Sequence, residues 1–214
     1  MTDSTSAHGT IVVSGTGRVA VEPDVAELRL GVAVSRPSVE AARTAAAETM
    51  SAILGAVVAA GVEKRDVRTT LLSVQPRYDY RDGVAPTLVG YDLANIVEVA
   101  ARDLPNLGAI VDAALSAGAT SLDGLSFRVD DPREAERAAR LGAVAEARSR
   151  ADVLAEAAGV TIAGVADIVE GGPPPTWPQP MAARMLRATA DAGTPVEAGT
   201  TEISVTVAVT FRIA

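Results

Sequence analysis

Between Glu22 and Arg36 the even positions Ala26, Leu28, Leu30, Val32 and Val34 are apolar, while Glu27 and Arg29 fall among the odd ones. A period of two is that of a strand with one face buried. The run follows Ile11 to Val21, also rich in β-formers, with Glu22-Pro23-Asp24 between them as the turn, so the two are expected to form a hairpin. From Pro37 the pattern becomes alanine-rich, with Val39, Met50, Ile53, Leu54 and Val57. A proline suited to the first helical turn and a stop at Gly61 predict a helix over 37–60. A strand from Val67 to about Tyr80, a turn at Arg81-Asp82-Gly83 and a strand from Leu88 to Ala101 follow. Val89, Tyr91, Leu93, Val97 and Val99 share one face of the latter, interrupted by Asn95. A buried, hydrogen-bonded asparagine is the ordinary explanation of that interruption, and a ligand contact is the alternative.

The next helix, about 104–117, has Asp103 as a capping candidate, Pro105 in its first turn and Gly118 beyond its end. Leu122 to Val129 reads as a strand. Asp131-Pro132-Arg133-Glu134 then supplies a cap, a proline at the first helical position and a capping-box carboxylate. The helix that follows runs to about Ala158, with an expected inward stripe of Leu141, Val144, Ala147, Ala151 and Leu154. Glu136 with Arg140 and Glu146 with Arg150 form its solvated face. After a strand from about Thr161 to Glu170, the cluster Gly171-Gly172-Pro173-Pro174-Pro175 breaks regular structure and opens an irregular insertion to about Gly199. Residues 181–190 could form a short helix within it. The chain closes with Ile203, Val205, Val207, Val209, Phe211 and Ile213 alternating against polar and small residues. The order β-β-α-β-β-α-β-α-β-β is that of an α+β fold, one mostly antiparallel sheet covered by about three helices. A disordered tail is expected over 1–9 and one domain over 10–214.

Composition narrows the chemistry. The 214 residues include no cysteine and one histidine, His8, in the polar tail. Thiolate sites are thereby excluded, and no internal imidazole is left for a serine–histidine–aspartate triad. A net charge of −8 disfavours nucleic acid and anionic membrane surfaces as partners. The longest helical apolar stretch, Ile53 to Ala60, is too short to span a bilayer. The opening residues lack a basic and an apolar region of the secretory kind, so a cytoplasmic location is expected. A trimmed mature form would instead be periplasmic or secreted.

Four features carry candidate chemistry. Gly15-Thr16-Gly17 lacks the third glycine and the following helix of a phosphate-binding turn, and reads as a bulge or a tight strand contact. Asp79, Asp82 and Asp92 would converge on a cation, or perform acid–base work, if the hairpin pairs them; edge and turn solubility is the plainer reading. Tyr78, Tyr80 and Tyr91 are all the tyrosines of the chain and lie in that same hairpin, where cross-strand packing competes with a ligand surface. Trp177, Met181, Met185 and Leu186 make the insertion a candidate partner or subunit contact.

Ser14-Gly15-Thr16-Gly17 with Val21-Glu22-Pro23-Asp24-Val25-Ala26, and Gly90-Tyr91-Asp92-Leu93-Ala94-Asn95, resemble the opening and central motifs of the SIMPL domain family, also called DUF541. Asp103-Leu104 to Ala117-Gly118-Ala119, Gly124-Leu125-Ser126-Phe127, Ala139-Arg140, Ala147-Arg148, residues 151–155 and residues 194–199 continue the match in order. Asp152 departs from it, at a position where lysine is common, as does the proline run with Trp177. The resemblance implies an α+β fold, homo-oligomers in some bacterial members, links to envelope antigens and oxidative-stress defence, and no catalytic residues or cofactor to carry over. A non-enzymatic, self-assembling scaffold or stress-associated accessory is the expected function. A ligand- or metal-binding enzyme built on the hairpin, or a signalling adaptor, are the alternatives.

Overall fold

A computed structural model describes residues 9–81, 85–171 and 196–214. Along these lie β1 (Thr10–Val21), β2 (Val25–Arg36), α1 (Val39–Ala59), β3 (Val67–Asp79), β4 (Thr87–Ala101), α2 (Leu107–Ser116), β5 (Ser121–Arg128), α3 (Arg133–Ala158), β6 (Ile162–Glu170) and β7 (Thr201–Ile213). The α+β class and the order of elements are those expected. The strands divide, however, into two antiparallel sheets rather than one, with orders β1-β7-β6 and β3-β4-β2-β5. The expected β1–β2 hairpin is absent as well. β1 pairs instead with β7, from Thr10 opposite Arg212 to Val21 opposite Thr201. The short segment between β1 and β2 is held to the end of β5: Asp24 N–H donates to the Arg128 carbonyl, and the Asp24 carboxylate accepts from Asp130 N–H at 2.7 Å.

The chain forms two compact units. In the one built from β1, α3, β6 and β7, helix α3 lies on β1 and β7. Its buried positions are Ala139, Ala143, Ala147, Ala151 and Ala155, spaced every four residues. Leu141, Val144 and Leu154 of the expected stripe face outward, Leu141 with 67% of its surface exposed. The cause lies on β1. A Cβ on Gly15 would stand 2.1 Å from the Ala143 carbonyl oxygen, and one on Gly17 would stand 1.8 Å from that of Ala139. Backbone meets backbone at both places, so only methyl groups fit beneath the helix. Val207, Val209 and Phe211 of β7 complete this core, and the Arg148 guanidinium lies 5.7 Å from the Phe211 ring. The helix starts one residue later than the sequence suggests, with Pro132 rather than Asp131 at its cap position; the Asp131 carboxylate accepts from Arg133 N–H at 3.2 Å, and the helix ends at Gly159 in the left-handed conformation.

The other unit packs α1 and α2 together, with α1 against β2 and β4. The even positions of β2 are buried from Ala26 to Val32 and meet Leu93, Val97 and Val99 of β4, Ala46, Ile53 and Val57 of α1, and Ile110 of α2. Helix α1 begins two residues later than its proline suggests. Ser38 is the cap, its hydroxyl accepting from Ala41 N–H at 3.3 Å, and Pro37 precedes it. Asp103 makes no side-chain cap; a short 3₁₀ turn over Leu104–Asn106 leads into α2, and the Asn106 amide donates to the Ala60 carbonyl at 2.9 Å.

The contact of β1 with α3 yields a stability prediction. Gly17→Val should destabilise the protein by about 3 kcal/mol, seen as a lower urea midpoint, because the added side chain meets backbone that cannot move aside. An exposed change on the same helix, Leu141→Gln, should leave the midpoint within about 0.5 kcal/mol.

Candidate functional site

The tyrosine hairpin forms as two paired strands. Tyr78 and Tyr80 come together, with ring centroids 6.4 Å apart and planes inclined at 60°, and Tyr80 is 75% exposed. Tyr91 is half-buried opposite Pro76 and Arg36. The carboxylates are not brought together. Asp79 stands opposite Thr87 and Asp92 opposite Gln75. Five strand residues separate Thr87 from Asp92, about 16 Å at the rise of a strand. Each acid has its own partner: Asp79 pairs with Arg81 at 2.8 Å, and Asp92 accepts from the Ser35 hydroxyl at 2.5 Å and lies 3.9 Å from Arg77. Asp82 lies outside the described residues, as do Trp177, Met181, Met185 and Leu186. Asn95 sits between Val32 and Leu72, and its Oδ1 is buried without a hydrogen-bond partner among the described residues, contrary to the hydrogen-bonded asparagine expected there.

The densest electrostatic feature is an ion-pair cluster that joins four parts of the chain. Arg102 reaches Asp130 at 2.6 Å and Asp66 at 3.2 Å; Arg128 reaches Glu27 at 2.6 Å and Asp130 at 2.7 Å. Asp130 thus receives two guanidinium groups while its own N–H is held by Asp24. Arg102, then Arg128, hold its carboxyl below the ordinary 3.8, and the same bonds raise both arginines. Asp131, bonded to Arg133, comes down to about 2. A depression of about 330 Å³ opens beside the cluster, lined by Glu27, Asp66, Arg68, Glu98 and Arg128. Its guanidinium groups are all engaged, Arg68 with Glu98 at 2.6 Å. The arrangement acts as a clamp on the sheet margin. Separations of up to 101 residues hid it from any reading of local motifs.

A third feature is the pair of edge strands β3 and β6. Among the described residues each pairs with one neighbour, and each shows solvent a run of aliphatic side chains: Leu71, Leu72 and Val74 on β3, and Val165, Ile168 and Val169 on β6. Leu72 is 67% exposed. Tyr78 extends the β3 run, and exposed Tyr80 follows directly after the strand.

The SIMPL family, described as a protein of unknown function (DUF541), matches over residues 11–211. The chain belongs to this family. The 26 kDa periplasmic immunogenic protein of Brucella melitensis biotype 1 is 36% identical over 217 residues, covering 98% of this chain and 86% of that protein. The Uncharacterized protein YggE of Escherichia coli K12 is 34% identical over 145 residues, covering 68% of this chain and 58% of its own. That of Edwardsiella ictaluri is 28% identical over 155 residues, 72% and 65% of the two chains. The cytoplasmic expectation finds no support among these SIMPL relatives, for the Brucella proteins are named periplasmic. No described helix is long and apolar enough to cross a membrane.

Several motif residues of this SIMPL chain have structural work. Gly15 and Gly17 admit α3, Asp24 holds Asp130, and a Cβ on Gly90 would stand 2.7 Å from the Arg36 carbonyl oxygen. Asp152, the departure in α3, pairs with Arg148 one turn earlier at 2.9 Å.

Depressed carboxyl groups stabilise the fold above their unfolded pKa, and the effect fades as pH falls through the folded value. Asp130→Asn should therefore lower the urea midpoint at about pH 6. The gap from the parent should close as pH falls below about 4, as Asp130 itself takes up its proton.

Proposed function

We propose that this SIMPL chain is a non-catalytic, self-associating protein of the cell envelope with a scaffolding or stress-associated accessory role. The observation that carries the reading is the exposed aliphatic run on edge strand β3. An open edge with unpaired backbone groups and apolar side chains is the kind of surface that natural proteins otherwise blunt, unless another chain covers it. The edge of β6 offers a second surface of the same kind. The envelope location draws support from the Brucella relatives, whose name places them in the periplasm. Residues 171–199, with Trp177, Met181, Met185 and Leu186, form a further proposed subunit or partner contact; methionine and tryptophan suit an adaptable apolar interface. A non-catalytic role is in keeping with the described carboxylates: Asp79 and Asp92 of the hairpin and Glu27, Asp66 and Asp130 of the clamp are each held by arginine or serine.

Light scattering on the native particle tests this. The measured mass should be a multiple of the chain mass. The double change Leu72→Lys, Val74→Lys should reduce it, and so should deletion of residues 173–193. A monomer at high concentration, indifferent to both changes, overturns the reading.

A further inference from the structure

Helix α1 contains one glycine, Gly55. Glycine inside a helix is disfavoured relative to alanine, and close packing is the usual compensation, as at Gly15 and Gly17 for a strand. At Gly55 no such packing exists: beyond its own turn of helix and its chain neighbours, no described atom lies within 4 Å of the place a Cβ would take. The missing side chain leaves open a groove of about 370 Å³ lined by Leu54, Gly55 and Val58 of α1 and by Lys64 and Val67 of the segment entering β3. Its walls are aliphatic apart from one ammonium group.

That group is the single lysine among 214 residues, which otherwise use arginine for every basic position. Its acidic neighbours are taken, Glu63 by Arg65 at 3.0 Å and Asp66 by Arg102 at 3.2 Å, and Lys64 has no ion pair among the described residues. An aliphatic trough with one free cation at its lip complements an alkyl chain ending in one negative charge. A lone ammonium is a point charge without the fork geometry or donor number that phosphate groups usually meet, which favours a carboxylate head. The volume lies near the lower end of the range of about 300 to 1,000 Å³ for small-molecule sites, which sets a medium-length chain. We propose that the Gly55 groove binds the alkyl chain of a fatty-acid-type carboxylate, with its head group at Lys64.

Calorimetric titration of the full chain with decanoate, below its micellar concentration, tests this against decyltrimethylammonium, which has the same tail and the opposite charge. One saturable decanoate site is expected, with the cationic probe about tenfold weaker or more. Lys64→Gln should weaken decanoate about fivefold and remove the salt dependence of binding, and Lys64→Glu should invert the preference between the two probes. Gly55→Leu fills the trough from a position with room for it. It should abolish binding of both probes while the Tm stays level or rises by a few degrees, since leucine is the better helix former. Because Lys64 is exposed, its variants keep the test decisive even if Gly55→Leu fails to fold. Unsaturable binding, equal affinity for both probes, or a Gly55→Leu protein that binds as the parent does each overturns the proposal. So does a Gly55→Leu change that alters native mass and leaves the titration untouched, which would make the groove a contact between copies.

Discussion

The backbone-to-backbone approach of α3 to β1 is the constraint on which much of the surrounding structure depends. Two glycines on alternate strand positions and alanines at every fourth helix position remove the side-chain layer that usually separates a helix from a sheet. Once that spacing is set, nothing larger than a methyl group can occupy the helix underside. The larger aliphatic residues of α3 are displaced to its flanks and outer face, and the bulk of the core comes from β7, through Val207, Val209 and Phe211. A helix of low hydrophobicity is thereby held by geometry and by many short contacts rather than by the transfer of large side chains from water.

The sheet β3-β4-β2-β5 is built on the opposite plan. Here the central strand β2 buries leucine and valine under helices α1 and α2, in the ordinary side-chain-mediated way. Its margin is held by charge instead. Asp130 is the shared acceptor for two arginines that also reach Asp66 and Glu27, so the start of β2, the turn before β3, the end of β4 and the end of β5 meet at one carboxylate. Exposed ion pairs taken singly add little, and a network with a shared centre is the form in which they matter.

The period-two alternation of β2 and of the closing strand, and the helix boundaries marked by Gly61, Gly118 and Gly159, were legible because each is a local signal. Strand partnership was not. The turn residues Glu22-Pro23-Asp24 look the same whether they close a hairpin or carry the chain to another sheet, and strand length does not separate the two, since β2 is as long as β1. The inward face of α3 was misread for a related reason: leucine and valine outrank alanine in hydrophobicity, yet the glycines that decide the matter lie more than a hundred residues away. Of the two readings of Gly15-Thr16-Gly17, a bulge or a tight strand contact, the structure shows the second: β1 pairs without a register shift, and the close neighbour is α3, which local sequence does not name. Of the candidate site residues, Tyr78 and Tyr80 do meet. The clamp and the Gly55 groove went unseen, since each joins residues scattered over several elements, although a solitary lysine was visible in the composition.

The pairing of β1 with β7 also orders events in time. β1, which precedes the other described strands, finds its hydrogen-bonding partner only when the thirteen residues of β7 are made. Residues 23–130 contain the partners of β2, β3, β4 and β5 among themselves. Those four strands can therefore pair before β7 is made, while β1 waits as an unpaired, glycine-containing strand. Long-range strand pairing of this kind is slow to form and exposes edges in the interval. The period in which such a chain is most open to capture by another copy, or by a chaperone, is thus set by the distance in sequence between β1 and β7.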